Sequence, residues 1–148
     1  MKTVEYTSPE IAEKLSGSGI KPSAQRILIL RHLMSHRVHP TVDEIYTSLQ
    51  PEHPTLSRTT VYNTLKLLSG AGIIKAIAVE NGESTRWDYS EHPHAHFLCM
   101  SCGSVTDIPA VSTDLPSLPE GYSIIDIGVT CKGRCPECSR LLQSESNN

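Results

Sequence analysis

Two CxxC pairs, Cys99-Met100-Ser101-Cys102 and Cys135-Pro136-Glu137-Cys138, constrain this chain more than any other feature of its 148 residues. Each pair lets two thiolates bite one tetrahedral ion from a tight turn, and two such knuckles complete a four-sulfur Zn(II) set with no open position. A closed set of that kind is structural rather than catalytic. The 32 residues between Cys102 and Cys135 exceed the usual ribbon spacing, so strands are expected between the knuckles, with zinc tying the ends of a small sheet. A redox dithiol is the competing reading of a single CxxC. Cys131 is left over, either as a substitute ligand for Cys135 or as an oxidation-sensitive bystander.

Length allows one domain or two small ones and excludes a TIM barrel or a full dinucleotide-binding enzyme. At 38% hydrophobic and 20% charged residues the composition is that of a soluble globule. No apolar run approaches the roughly 20 residues that span a bilayer. Met1-Lys2-Thr3-Val4-Glu5-Tyr6 has no apolar stretch after its lysine, so no secretory signal is expected. The expectation is a cytoplasmic protein whose reduced, clustered cysteines bind metal instead of pairing as disulfides.

The net charge of -3 hides a split. Up to Arg86 there are ten Lys/Arg against eight Asp/Glu, and afterwards three against eight. Residues 20–75 hold seven basic and three acidic side chains, a polyanion-binding half joined to something else. That half reads as helices. Ser8-Pro9 caps a first helix ending at Gly17 and Gly19, and a second follows Pro22 with Ile27, Leu28, Leu30, Leu33 and Met34 at helical spacing. Thr41-Val42-Asp43-Glu44 is a capping box for a third, and Ser57 caps a fourth that stops at Gly70-Ala71-Gly72. Strand-like runs 73–79 and 84–90 then flank Asn81-Gly82, a strong hairpin turn signal.

Helices followed directly by a hairpin predict a winged helix-turn-helix over residues 1–90, with the helix from Arg58 in the major groove of DNA. Arg58, Thr59, Thr60, Tyr62, Asn63 and Lys66 are its candidate phosphate and base-edge contacts. A charged, solvated face of a protein-interaction module is the alternative. From residue 91 to 148 strands are expected at 96–100, 104–108 and 122–129, with a Pro-rich connection between and a disordered polar tail over 143–148.

A second constellation is His92-Pro93-His94-Ala95-His96. On a strand His94 and His96 project from one face, and His92 joins them only if the strand begins before Pro93. Asp88 and Asp107 are natural carboxylate partners, and a mixed imidazole and carboxylate set suits iron, manganese or zinc. A His-rich surface turn is the alternative.

The succession Thr60-Val61-Tyr62-Asn63, Arg86-Trp87-Asp88, His94-Ala95-His96-Phe97-Leu98-Cys99-Met100-Ser101-Cys102-Gly103 and Cys135-Pro136-Glu137-Cys138 resembles the Fur family of bacterial metalloregulators, from about Gly19 to Cys138. The resemblance implies an α/β fold: an N-terminal winged helix that binds a palindromic operator, and a small C-terminal α/β domain that forms a homodimer and carries the zinc on Cys99, Cys102, Cys135 and Cys138. It implies a regulatory Fe(II) or Mn(II) site on His39, Asp88, His94, His96 and Asp107, drawn from both domains, in a repressor and not an enzyme. Asp107 and Asn63 resemble the peroxide-sensing branch, in which iron-catalysed oxidation of His39 or His94 releases DNA. Glu and Arg at those positions would mark the iron-responsive branch, the alternative function. The short Pro-rich stretch 109–120, Cys131 and His92 depart from the family pattern.

Overall fold

A computed structural model describes residues 5–36, 38–77, 84–92, 94–109, 117–124 and 127–146. The chain forms two compact units, Met1–Glu91 and His92–Asn148. The first holds α1 (Ser8–Gly17), α2 (Ala24–Ser35), α3 (Val42–Leu49), α4 (Arg58–Gly70), β1 (Lys75–Ile77) and β2 (Arg86–Asp88). Each helix begins where a hydroxyl can accept an orphan backbone N–H. Thr41 and Glu44 form the expected capping box on α3, and Ser57 caps α4. At α1 the cap is Thr7 instead of Ser8, because Glu10 lies three residues after Thr7 and accepts a bond from its backbone N–H. Gly72, with φ at 75°, turns the chain out of α4 into the hairpin.

Ile11, Leu15, Ile29, Leu30, Leu33, Ile45, Val61, Leu65, Leu68 and Trp87 form one core in this unit. Full burial of such an aliphatic side chain contributes roughly 1.5–3 kcal/mol, so this cluster holds the helices and the hairpin as one piece. β1 and β2 pair antiparallel with Lys75 opposite Asp88 and Ile77 opposite Arg86. Among the described residues each strand spans three residues, and positions 78–79 of the first expected run lie outside the described residues. The Asn81-Gly82 turn lies outside the described residues.

The second unit holds β3 (His94–Cys99), β4 (Val105–Pro109), β5 (Thr130–Gly133) and α5 (Pro136–Ser146), with sheet order β4-β3-β5. β3 pairs antiparallel with β4 and parallel with β5. Two expectations fail here. The third strand is Thr130–Gly133, and the described residues of the expected 122–129 run, 122–124 and 127–129, are not strand, because pairing to β3 is set by where the second knuckle must arrive. The expected disordered tail is helical through Ser146, since Pro136 starts a helix that the zinc knuckle anchors at its first turn. Among the described residues no helix is long and apolar enough to cross a membrane.

Candidate metal centre

The parallel β3–β5 register places Gly133 beside Cys99, and the Met100 N–H donates to the Gly133 carbonyl at 2.7 Å. That pairing delivers the second knuckle to the first. The Sγ atoms of Cys99, Cys102, Cys135 and Cys138 all lie within 4.8 Å of one another, and Cys102 Sγ is 3.9 Å from Cys135 Sγ. Tetrahedral Zn–S bonds of about 2.3 Å put sulfurs roughly 3.8 Å apart, so the set fits zinc. Gly103, with φ at 72°, closes the first knuckle by donating its N–H to the Cys99 carbonyl. Cys131 lies on β5, exposed and opposite Phe97, and is not in the set.

The thiols themselves call for a cation. Backbone N–H groups of Cys135 and Cys102 point at Cys99 and draw its thiol down to about 6. Cys138, crowded first by Cys135, is pushed up to about 12. Ser104, whose hydroxyl lies 3.1 Å from Cys102 Sγ, lowers Cys102. Crowded sulfurs left to themselves cannot all ionise; a bound dication allows it. The Cys135 N–H to Cys99 Sγ bond (3.3 Å) and the Cys138 N–H to Cys135 Sγ bond (3.5 Å) orient the sulfurs. Sequence reasoning misses Ser104; a Ser two residues after a ligand cysteine is the signal that could have found it.

The imidazoles and carboxylates fall in two groups, one in each unit. In the second unit, alternation along β3 puts His94 and His96 on one face, and the cross-strand register sets Asp107 directly opposite His96. His94 Nε2 lies 2.9 Å from His96 Nε2 and 3.2 Å from Asp107 Oδ1; His96 Nε2 is 3.6 Å from the same oxygen. His94 Nδ1 donates to the His92 carbonyl at 3.0 Å, which puts the lone pair on Nε2. His92 thus acts through its backbone. Nitrogen ligands about 2.1 Å from an ion and at right angles are roughly 3 Å apart, so the pair fits adjacent positions around one metal.

In the first unit His39 and Asp88 are both buried, with His39 Nε2 3.4 Å from Asp88 Oδ1. His39 sits in the loop before α3, Asp88 at the end of β2, and the Trp87 N–H donates to the Pro40 carbonyl at 3.0 Å to join them. A buried carboxylate is costly unless a cation or donor faces it.

On α4 the exposed face carries Arg58, Thr59, Tyr62, Asn63 and Lys66, while Val61, Thr64, Leu65 and Leu68 face the core. Thr60 is half-buried with its hydroxyl 2.9 Å from that of Ser57. Arg58 pairs with Asp43 at 2.6 Å and lies over the Tyr46 ring.

A helix-turn-helix with a hairpin wing, joined in one chain to clustered thiols, imidazoles and carboxylates, defines a metal-responsive DNA-binding regulator. The ferric uptake regulator family matches residues 17–117, and the chain belongs to that family. It is 37% identical over 147 residues to the peroxide-responsive repressor PerR of Staphylococcus aureus (strain Mu50 / ATCC 700699), covering 93% of this chain and 95% of that protein. The solved PerR from Streptococcus pyogenes, described for peroxide sensing and gene regulation, is 26% identical with a TM-score of 0.51 over 93% of this chain and 97% of its own. The Helicobacter pylori ferric uptake regulator shares the fold at 21% identity and a TM-score of 0.69, over 94% of this chain and 97% of its own.

Proposed function

We propose that this chain is a cytoplasmic, metal-dependent transcriptional repressor that senses hydrogen peroxide. Residues 1–90 bind a palindromic operator, and residues 91–148 form the homodimer and hold structural Zn(II) on Cys99, Cys102, Cys135 and Cys138. The observation that carries the reading is the donor chemistry of the two remaining groups: His39 and Asp88 in one unit, and His94, His96 and Asp107 in the other, offer nitrogen and oxygen and no sulfur. Oxidation at such a site falls on imidazole instead of thiolate.

Neither group alone gives five donors. Held on one ion, the five side chains restrain one unit against the other, and only that restrained arrangement matches both operator half-sites. Fe(II) held by His39, Asp88, His94, His96 and Asp107 would supply the electron that opens the O–O bond of hydrogen peroxide and would recover it as the ring is oxidised. In net terms, one peroxide oxygen would replace a ring-carbon hydrogen of His39 or His94, that hydrogen would leave with the other oxygen as water, and the oxidised ring would be a poorer ligand. Mn(II) on the same donors supports repression without that reactivity.

A second copy is supported by what the second unit leaves uncovered. Among its described residues only Ala95, Leu98 and Cys99 are buried apolar side chains, while Leu118, Tyr122, Ile124, Ile127 and Leu141 are exposed. An iron-responsive repressor without peroxide chemistry is the second reading, and Asp107 and Asn63 favour peroxide sensing over it.

A DNA shift assay with Fe(II) or Mn(II), each with and without sub-stoichiometric peroxide, tests the function. The expected result is release from Fe(II)-loaded protein alone, with one oxygen added to a peptide containing His39 or His94. Iron-dependent binding with no oxygen on either histidine would establish the second reading.

A further inference from the structure

We propose that Arg86 is a positioning residue for the His39–Asp88 pair, held in place by Glu44, and that it ties that pair to the helix-turn-helix. The inference rests on the reading of His39 and Asp88 as ligands and goes beyond it. It stands on three anchors that fall on three successive loop residues. The Arg86 guanidinium donates from Nη1 to the His39 carbonyl at 2.8 Å, in a half-buried setting. The Trp87 N–H donates to the Pro40 carbonyl at 3.0 Å. The Thr41 N–H donates to Glu44 Oε2 at 2.7 Å, the α3 capping box. Glu44 Oε2 also faces Arg86 Nη1 at 3.4 Å, so one carboxylate oxygen serves both the cap of α3 and the arginine on β2.

Asp88 follows two residues after Arg86 on β2. Arg86 therefore fixes the backbone of one ligand from the strand that carries the other. His39 and Asp88 keep their 3.4 Å separation because loop 39–41 is laced to β2 instead of swinging with the C-terminal end of α2. Both contacts are made from one nitrogen, Nη1, whose two N–H bonds diverge at fixed angles in the guanidinium plane, an orientation that a freely rotating lysine ammonium does not hold.

The lacing continues toward the DNA-facing side. α3 begins at the Thr41–Glu44 box, and its Asp43 bonds Arg58 Nε at 2.6 Å, at the first residue of α4. Arg58 in turn lies 4.2 Å over the Tyr46 ring of α3. A change in how His39 sits is thus felt at the N-terminal turn of α4 through Arg86, Glu44 and α3, all within one unit. In this respect Glu44 is more than a helix cap and Arg86 more than a wing residue.

The test uses zinc-loaded, full-length dimer, titrated with Mn(II) by EPR, with the melting temperature measured without Mn(II). Arg86→Ala is expected to weaken Mn(II) binding about 10- to 100-fold, the usual cost of removing a group that orients a ligand. Arg86→Lys should recover part of that loss. Glu44→Gln, which can still cap Thr41, should show a smaller loss in the same direction. In Co(II)-loaded protein, Arg86→Ala should also shift the visible d–d bands of the nitrogen/oxygen site. A residue that only stabilises the fold would lower the melting temperature and leave Mn(II) affinity and the Co(II) spectrum alone. If Arg86→Ala does not fold, Arg86→Lys and Glu44→Gln carry the comparison. The proposal is overturned if these variants bind Mn(II) within about twofold of the parent while Asp88→Ala, run alongside, loses it. If Asp88→Ala itself binds Mn(II) normally, the ligand reading fails and takes this proposal with it.

Discussion

His39 Nε2 lies 3.4 Å from Asp88 Oδ1, with both side chains 7% exposed. A carboxylate so buried is stabilised by a cation far more than by a neutral imidazole, and the core beneath it, with Trp87 3% exposed, keeps water away. Asp88→Ala is expected to weaken Mn(II)-dependent operator binding by at least about tenfold at fixed metal activity, while bound zinc stays unchanged. Asp88→Asn, which keeps the shape but not the charge, should fall between. Trp87, the single tryptophan of the chain, adjoins this carboxylate and gives a direct readout. Mn(II), a paramagnetic quencher, should dim its emission in the parent protein and leave Asp88→Ala unchanged; equal quenching in both would remove Asp88 from the site.

The exposed face of α4 leads to a second expectation. Lys66, exposed one turn along the helix from Tyr62, suits a phosphate contact, so Lys66→Ala should weaken binding to all sequences alike and reduce the salt-dependence slope by about one. Asn63, exposed on the same face, is the proposed base-edge contact, and Asn63→Ala should cost about 1–3 kcal/mol on the cognate operator and little on random DNA. Arg58 is already paired with Asp43, so Asp43→Ala frees a guanidinium and should raise non-specific affinity. Fluorescence anisotropy on cognate and scrambled duplexes at several salt concentrations distinguishes the three. A Lys66→Ala slope equal to the parent's would take Lys66 off the DNA.

Sequence is most readable where one local rule acts alone. The Thr41–Glu44 box and the Ser57 cap lie where hydroxyl and carboxylate spacing puts them, because capping is decided within four residues. Strand alternation likewise anticipates His94 and His96 on one face. Position fails where distant parts decide. β5 starts at Thr130 and not at Tyr122 because its register is set by parallel pairing to β3 and by the need to bring Cys135 to Cys99, neither visible in a local apolar run. The helix over Pro136–Ser146 ends in what reads as a polar tail because its residues carry a weak apolar pattern, and what anchors it is a metal knuckle. The pairing of His39 with Asp88 has no local signal at all; it comes from family resemblance, and the Arg86 contact that accompanies it comes only from the fold.

Zinc should decide whether the second unit exists as a folded body. Its sheet has three short strands and few buried apolar side chains among the described residues, while the four sulfurs join β3, the knuckle turns and α5. In small zinc domains the metal contributes roughly 10–16 kcal/mol of folding free energy at neutral pH, more than a sheet of this size gains from burial. Cys135→Ser and Cys138→Ser are expected to lose the tightly bound zinc and to sediment as monomer. Cys131→Ser should do neither, since its thiol lies outside the set. Zinc content by atomic absorption and analytical ultracentrifugation check both, and a dimer that survives in zinc-free Cys135→Ser would show that the metal is dispensable for assembly.

Stability should also carry a signature from His32, near the end of α2. Its ring is half-buried and stacked 4.6 Å from that of His36. Burial first, and the charge of His36 second, hold its imidazolium form below the ordinary histidine range. The folded state therefore binds the proton less readily than the unfolded chain, whose histidines titrate near 6.5. Where the unfolded state holds more protons, stability rises with pH. This contribution is present above about 6.5 and is lost as pH falls below that value toward the depressed folded-state pKa. His32→Gln removes the titrating group, so its melting temperature should fall less steeply than the parent's between about pH 7 and pH 5. His36→Gln removes the repelling neighbour and should likewise flatten the decline by letting His32 take its proton more easily in the folded state. All ionisable groups outside the His32–His36 pair are common to the parent and both variants, so the difference between curves isolates that pair. Parallel melting curves for parent and His32→Gln across that range would show that protonation of His32 does not govern the acid stability of the unit.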